Sequence, residues 1–301
     1  MYLNRDTRRM PQILKLFRRS MLMGGCGLAA LGAAGCMSSS EKNPVPDEQA
    51  VLQQDKRATE YMRLGDDLRA KGDLESAAEM YNRARSADSK SPAPPAALGD
   101  TLRRLGRYAE AEQVFRDGLD RSPYSGMLLQ GYAVLMLEKG QPEAAVTTLT
   151  PVVDEEAADF RIYNVLGIAY DMLGDHMEAQ AQYTAGLAQT PSNRSLRNNL
   201  ALSLAIQERY DAAIEQIQMV AGDDTVSQHN LALIYGLSGR IEEAARVSRK
   251  LLPESDVANN LAYYQSLRAL EPAQRRSAIL EMLLRSLFTA VTGSAADKSP
   301  S

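Results

Sequence analysis

Apolar and small residues recur along this chain in helical phase, and the helical pattern itself repeats. A Leu-Gly pair or a close equivalent stands at Leu64-Gly65, Leu98-Gly99, Tyr132-Ala133, Leu166-Gly167, Leu200-Ala201, Leu231-Ala232 and Leu261-Ala262. The first five of these markers are 34 residues apart, and the last two steps are 31 and 30. Further residues follow each marker at constant offsets. The second unit reads Leu98, Gly99, Leu102, Gly106, Tyr108, Ala111, Phe115, Gly118, Pro123, and the fourth reads Leu166, Gly167, Tyr170, Gly174, Ala179, Tyr183, Gly186, Pro191. The first has Leu64, Gly65, Leu68, Gly72, Ala77, Tyr81 and Ala84, while the third, fifth and sixth keep Ala145, Ala213 and Ala244 in the small-residue slot.

Each unit is expected to be a pair of antiparallel helices. Small residues let two helices approach to about 8–10 Å, and large residues fill the remaining gaps. Gly72, Gly106, Gly140, Gly174 and Gly239 fall where the first helix must end, a slot in which glycine adopts the left-handed conformation at little cost. Pro123 and Pro191 terminate the second helix, having no amide proton with which to continue it.

Residue types and spacing together resemble the tetratricopeptide repeat, which implies an all-α solenoid: a right-handed superhelix of antiparallel helix pairs, in about six repeats plus a partial one over residues 56–270. The sixth unit has Ser248 where a large ring is expected, and the seventh supplies a first helix around Asn259 to Leu270. After Glu271-Pro272 a helix over 271–292 carries Ile279, Leu280, Met282, Leu283, Leu284, Leu287, Phe288 and Val291 on its apolar face. It is expected to cap the open end of the array, as repeat arrays require. The other reading is a docking helix for a partner. Residues 293–301 are expected to be a disordered tail.

Composition and charge add a compartment. Arg5, Arg8, Arg9, Lys15, Arg18 and Arg19 precede a stretch from Met21 to Gly35 that is free of charge and too short to span a bilayer. It ends Leu31-Gly32-Ala33-Ala34-Gly35-Cys36 and is followed by a polar tether, which resembles the bacterial lipobox. The resemblance implies a lipoprotein signal peptide over 1–35, lipidation of Cys36, and a flexible tether over 36–55. Several acyl chains hold a protein far more firmly than one does. Met37 after the cysteine, rather than Asp, points by the family rule to the periplasmic face of the outer membrane. Without the leader, 28 basic residues face 37 acidic ones, about −9 overall, which argues against a nucleic-acid partner. Of the two cysteines, Cys26 would leave with the leader and Cys36 would carry lipid, so no thiol is left for a disulfide, a metal or a nucleophile.

Tetratricopeptide arrays expose the first helix of each pair on a concave face. Counting from the markers places Asp66, Arg69, Asp100, Arg103 and Arg104 in the first two units of the groove. Farther along come Met127, Val134, Leu137, Ile168, Met172, Leu202, Ile206, Leu233 and Leu237, with Arg161, Asn164, Asn198 and His229 among them. An apolar groove punctuated by amides suits a helical or extended peptide guest. The expected partner-binding set is Arg161, Asn164, Ile168, Met172, Asn198, Leu202, His229 and Leu233. The two histidines, His176 and His229, lie far apart in the sequence, His176 at a packing position, and no phosphate loop, metal spacing or nucleophile elbow is present. The chain therefore reads as a non-enzyme without cofactor or metal.

The exported leader, the repeats, the stretch Gln228 to Gly239 (QHNLALIYGLSG) and the following Asn260-Leu261-Ala262-Tyr263-Tyr264 are similar to the TadD family, lipoproteins of the tight-adherence (Flp) pilus machinery. The resemblance implies a non-catalytic assembly factor that helps locate or assemble the secretin, with another apparatus component in its groove. The alternative is a periplasmic adaptor that brings a protease or peptidoglycan hydrolase to its substrate.

Overall fold

The computed structural model describes residues 48–153, 159–222 and 224–292. Two units are distinguished, Met1–Val45 and Pro46–Ser301, of which only the second contains described residues. Its described residues form fourteen helices: α1 (Glu48–Ala70), α2 (Leu74–Ala87), α3 (Ala93–Arg104), α4 (Tyr108–Arg121), α5 (Gly126–Glu138), α6 (Pro142–Val153), α7 (Phe160–Leu173), α8 (His176–Gln189), α9 (Arg194–Ile206), α10 (Tyr210–Gln218), α11 (Thr225–Leu237), α12 (Ile241–Ser248), α13 (Glu254–Ala269) and α14 (Pro272–Thr292). Each helix packs on the next through α13, and the first helices α3, α5, α7, α9, α11 and α13 also touch one another in sequence. That second set of contacts puts them on the inner side of an all-α solenoid, as the periodicity predicts.

Every pair closes on one interlock. The marker glycine lies beneath a ring sixteen residues on: a Cβ at Gly65 would stand 2.6 Å from Tyr81 Cε1, and one at Gly99 2.6 Å from Phe115 Cζ. Gly167 is crowded by Tyr183 in the same way. Where the marker is alanine, the partner position holds something smaller, Leu149 for Ala133, Ile217 for Ala201 and Ser248 for Ala232, all buried. In the third and fifth pairs the two positions trade volume, a methyl gained at the marker against bulk lost opposite it. Proline terminates as expected: α4 stops two residues before Pro123 and α8 two before Pro191.

The turns within the pairs use a positive φ eight residues past the marker. Gly174 caps α7 at φ 83°, and the other four turn glycines share this conformation. In the fifth pair the slot holds Glu208 at φ 59°, the one non-glycine with positive φ among the described residues. An L-residue there carries a conformational cost of about 1 kcal/mol or more.

Three boundaries differ from the sequence reading. The tether expected over 36–55 is helical from Glu48 onward, because Glu, Gln, Ala and Lys through this stretch favour helix; its earlier part, with Cys36 and the leader, lies outside the described residues, as does the tail 293–301. The first helix of the seventh unit starts earlier than expected, at Glu254, directly after Pro253. The closing helix α14 does cover apolar surface, but that surface belongs to α9 and α7 rather than to the open end at α13. The reason is the turn: Leu270 at the end of α13 is extended, φ −67° and ψ 152°, where the earlier pairs turn back on a positive φ. Pro272 follows at once, so α14 leaves α13 instead of folding onto it.

The interlock makes a quantitative prediction. Gly99→Ala forces a methyl into Phe115 and should cost about 1–3 kcal/mol in urea unfolding. Combining it with Phe115→Leu, the pairing that the third repeat already uses, should cost less than the sum of the two single changes by about 0.5–3 kcal/mol.

Candidate functional site

The predicted groove residues lie on α7, α9 and α11, but not as a free binding surface. Ile168, Leu202 and Leu233, each two residues past its marker, are 0%, 1% and 4% exposed. They pack in the seams between first helices, and their place in the peptide-binding set is corrected to core. Met172 and His229 are half-buried. Arg161 is exposed, paired with Asp159 at 2.9 Å, and lies over the Phe160 ring with its guanidinium carbon 5.1 Å from the centroid. Of the expected set it is the side chain most open to a partner.

The two asparagines require the largest correction. Asn164 Oδ1 accepts from Asn199 Nδ2 at 2.8 Å. Asn198 Nδ2 donates to Ser227 Oγ at 2.8 Å, and Asn198 Oδ1 accepts from Asn230 Nδ2 at 3.3 Å. Ser227 in turn is held by Asp224, whose Oδ2 accepts from the Ser227 backbone N–H at 2.8 Å as the cap of α11. Each amide thus reaches the neighbouring repeat and locks the register between first helices. A buried amide needs a partner, and here the partner is the next repeat rather than a guest's main chain.

A second polar cluster lies where apolar contacts would be expected. Asp171, on α7 and 2% exposed, accepts from Ser203 Oγ of α9 at 2.7 Å and from Tyr183 Oη of α8 at 3.0 Å. The His176 Nδ1 lies 2.8 Å from the same carboxylate. Burial pushes the Asp171 pKa above the usual carboxylate range, with the bonds from His176, Ser203 and Tyr183 opposing it. Burial also holds the Tyr183 hydroxyl protonated to well above its ordinary range. Serine, histidine and aspartate meet here, but the aspartate is the hub that both others address. A nucleophilic triad needs the histidine between the other two. The cluster therefore ties three helices together, with His176 at the start of α8 bonded to the hub.

The corresponding position in the second unit is Arg103, 3% exposed, bonded to Asp100 at 2.6 Å and to Glu138 of α5. Burial raises the Glu138 pKa, and Arg103 opposes that shift. The charged residues Asp100 and Arg103, expected to line the N-terminal groove, are thus partly consumed in a seam between repeats. Among the described residues no three His, Cys, Asp or Glu side chains converge as a metal site would require. No described helix is long and apolar enough to cross a membrane.

Sequence reasoning missed Asp171 and its partners, and it missed what covers the far half of the groove. That cover is α14, which lays Ile279 (1% exposed) and Leu283 (0%) toward the array, with Ala278 and Met282 partly buried beside them. At its start Arg275 pairs with Glu208 at 3.4 Å. Two signals were available: a charged residue in a slot held elsewhere by Leu137 and Ala205, and a glutamate where the turn calls for glycine.

Two outcomes follow. Asn198→Ala leaves Ser227 and Asn230 without their partner and should destabilise the chain by about 1–3 kcal/mol, read in urea unfolding. For Asp171 the raised native pKa means that the folded state keeps a proton the unfolded chain releases at its ordinary value of 3.8. Stability contributed by this group therefore falls as pH rises upward from that value. Thermal melts across about pH 4 to 7 should show Asp171→Asn gaining on the wild type as pH rises.

Tetratricopeptide-repeat family profiles match residues 62–126 and 165–225, 102–167, and 225–250. Tetratricopeptide repeat protein 7A of Homo sapiens is 32% identical over 147 residues, covering 49% of this chain and 15% of that protein. The uncharacterized protein y4yS of Sinorhizobium fredii (strain NBRC 101917 / NGR234) is 29% identical over 106 residues, 35% of this chain and 58% of the relative. The chain thus matches less than two thirds of the length of either. Among solved structures, Pseudomonas aeruginosa PilF superposes with a TM-score of 0.60 at 18% identity, covering 72% of this chain and 99% of that one. A tetratricopeptide repeat protein from Parabacteroides merdae ATCC 43184 gives 0.54 at 20% identity, with 77% and 99% covered. At these identities the likeness is one of fold. With profile matches running without a gap from residue 62 to residue 250 and helix pairs behind each, the chain belongs to the tetratricopeptide-repeat family.

Proposed function

We propose that this chain is a lipid-anchored, non-catalytic scaffold on the periplasmic face of the outer membrane that assists assembly of the tight-adherence pilus, helping to locate or assemble the secretin. Tetratricopeptide arrays are protein-interaction scaffolds, and the fold supplies the corresponding surface here: a row of first helices on the inner side of a solenoid. The observation that carries the finer reading is the stretch Gln228 to Gly239 with Asn260 to Tyr264, which resembles the TadD family. In the fold both parts lie on adjoining first helices, α11 and α13, where Gly236 is crowded by Tyr264. The discriminating residues therefore form one packed unit. The address rests on the lipobox-like segment ending at Cys36, and acylation there would supply the anchor. The partners on this reading are other components of the pilus apparatus.

Deletion of the gene should abolish surface pili while pilin synthesis continues. Wild-type complementation should restore piliation, and a Cys36→Ala copy should fractionate as soluble protein and restore it poorly. Normal piliation in the deletion strain would refute the pilus reading; membrane retention of Cys36→Ala would refute the anchor.

A further inference from the structure

By register α14 is a second helix that was never used as one. Ala278 stands seventeen residues after Leu261, the offset at which Tyr81, Phe115 and Tyr183 close their own pairs. Yet the chain at Leu270 stays extended, and α14 passes α11 to lie on α9 and α7. The end that a closing helix would protect stays open: Asn259, Ala262, Tyr263 and Ser266 of α13 are exposed.

The seat under α14 is specific but imperfectly filled. One helical face enters it: Arg275, Ala278, Ile279, Met282 and Leu283, the spacing of an amphipathic helix in a groove. Beside this face a cleft of about 280 Å³ stays open between the start of α14 and the α7–α8 turn, lined by Met172, His176, Ile206, Ala273, Arg276 and Leu280 among others. Tyr210 and Arg275 face one another at the edge of this seat, with Tyr210 Oη and Arg275 Nε both buried. The array also spends conformational strain here, since Glu208, the residue in the left-handed turn, is the one that faces Arg275. A core helix would be expected to fill its site.

We propose that the inner face of α7 and α9 is the docking seat for an amphipathic helix of a partner protein, and that α14 is its resident occupant, displaced when the partner binds. The resident defines the guest: apolar side chains at the spacing of Ala278, Ile279, Met282 and Leu283, preceded one turn earlier by a cation that meets Glu208. This inference rests on the scaffold reading and adds the chemistry of the partner segment and the latch that guards its site. Tethering gives α14 an effective concentration in the millimolar range, so a guest must outcompete it or meet it already loosened.

The test uses the full chain and a fluorescent peptide carrying residues 271–292. Ile279→Asp with Leu283→Asp should release α14, seen as faster amide exchange in α14 with α5 still protected, and should tighten peptide binding at least tenfold over the wild type. Arg275→Glu, which leaves the apolar core intact, should tighten it by a smaller factor at unchanged helicity. In the released chain Glu208→Arg should abolish binding of the wild-type peptide, and a peptide with Arg275→Glu should restore it. Equal binding to latched and released chains overturns the proposal, as does indifference to the charge exchange at Glu208. So does crosslinking of α14 to α9 of a second copy, which would make the seat a self-association site. If the peptide fails while pilus components still crosslink to the array, only this inference falls; if the peptide behaves as stated and pili form without the protein, only the pilus reading falls.

Discussion

Ring against glycine is the contact on which the stack depends. Tyr81 on Gly65, Phe115 on Gly99 and Tyr183 on Gly167 leave no room for a methyl group, so each sets how closely two helices approach and at what rotation. Where the marker gains a methyl as alanine, the opposing residue loses bulk: Leu149, Ile217 and Ser248 stand where the other pairs hold a ring. Each pair is thus closed by contacts within its own repeat. The stability of the array then accumulates from nearest neighbours.

The polar residues play a different part. Asn164 with Asn199, Asn198 with Asn230 and Ser227, Asp171 with Ser203, and Arg103 with Glu138 all join one first helix to the next. Apolar seams between similar helices can slide by a turn at modest cost, whereas a hydrogen-bonded amide or carboxylate fits one register. The inner surface is therefore stitched by the side chains that a reading of exposed grooves would assign to ligand binding. Of the expected partner-binding set, what is left for a guest is Arg161 with the half-buried Met172 and His229, beside the strip now covered by α14.

That cover follows from one missing turn. Five turns within the pairs use glycine at positive φ, the fifth repeat manages with Glu208, and the seventh has neither, so α13 and α14 do not pair. A spare amphipathic helix must bury its apolar face somewhere, and the inner face of α7 and α9 is within its reach. A scaffold whose groove is partly filled by its own chain shows affinity for partners only as far as they can compete with that helix.

The sequence by itself determined the helix pairs, their number and most of their ends, because those features follow from contacts within some thirty residues: the marker, the ring seventeen positions on, the turn glycine between them. It also determined that His176 packs and that α14 is amphipathic. Only the tertiary structure decided that Asn164 and Asn198 face the neighbouring repeat instead of a guest, since that depends on the rotation of each first helix against the next. The fate of α14 was likewise decided only there, because an apolar stripe states that a helix will be buried but not against which surface. Local spacing fixes how a repeat closes; the curvature summed over several repeats fixes what its inner face can reach.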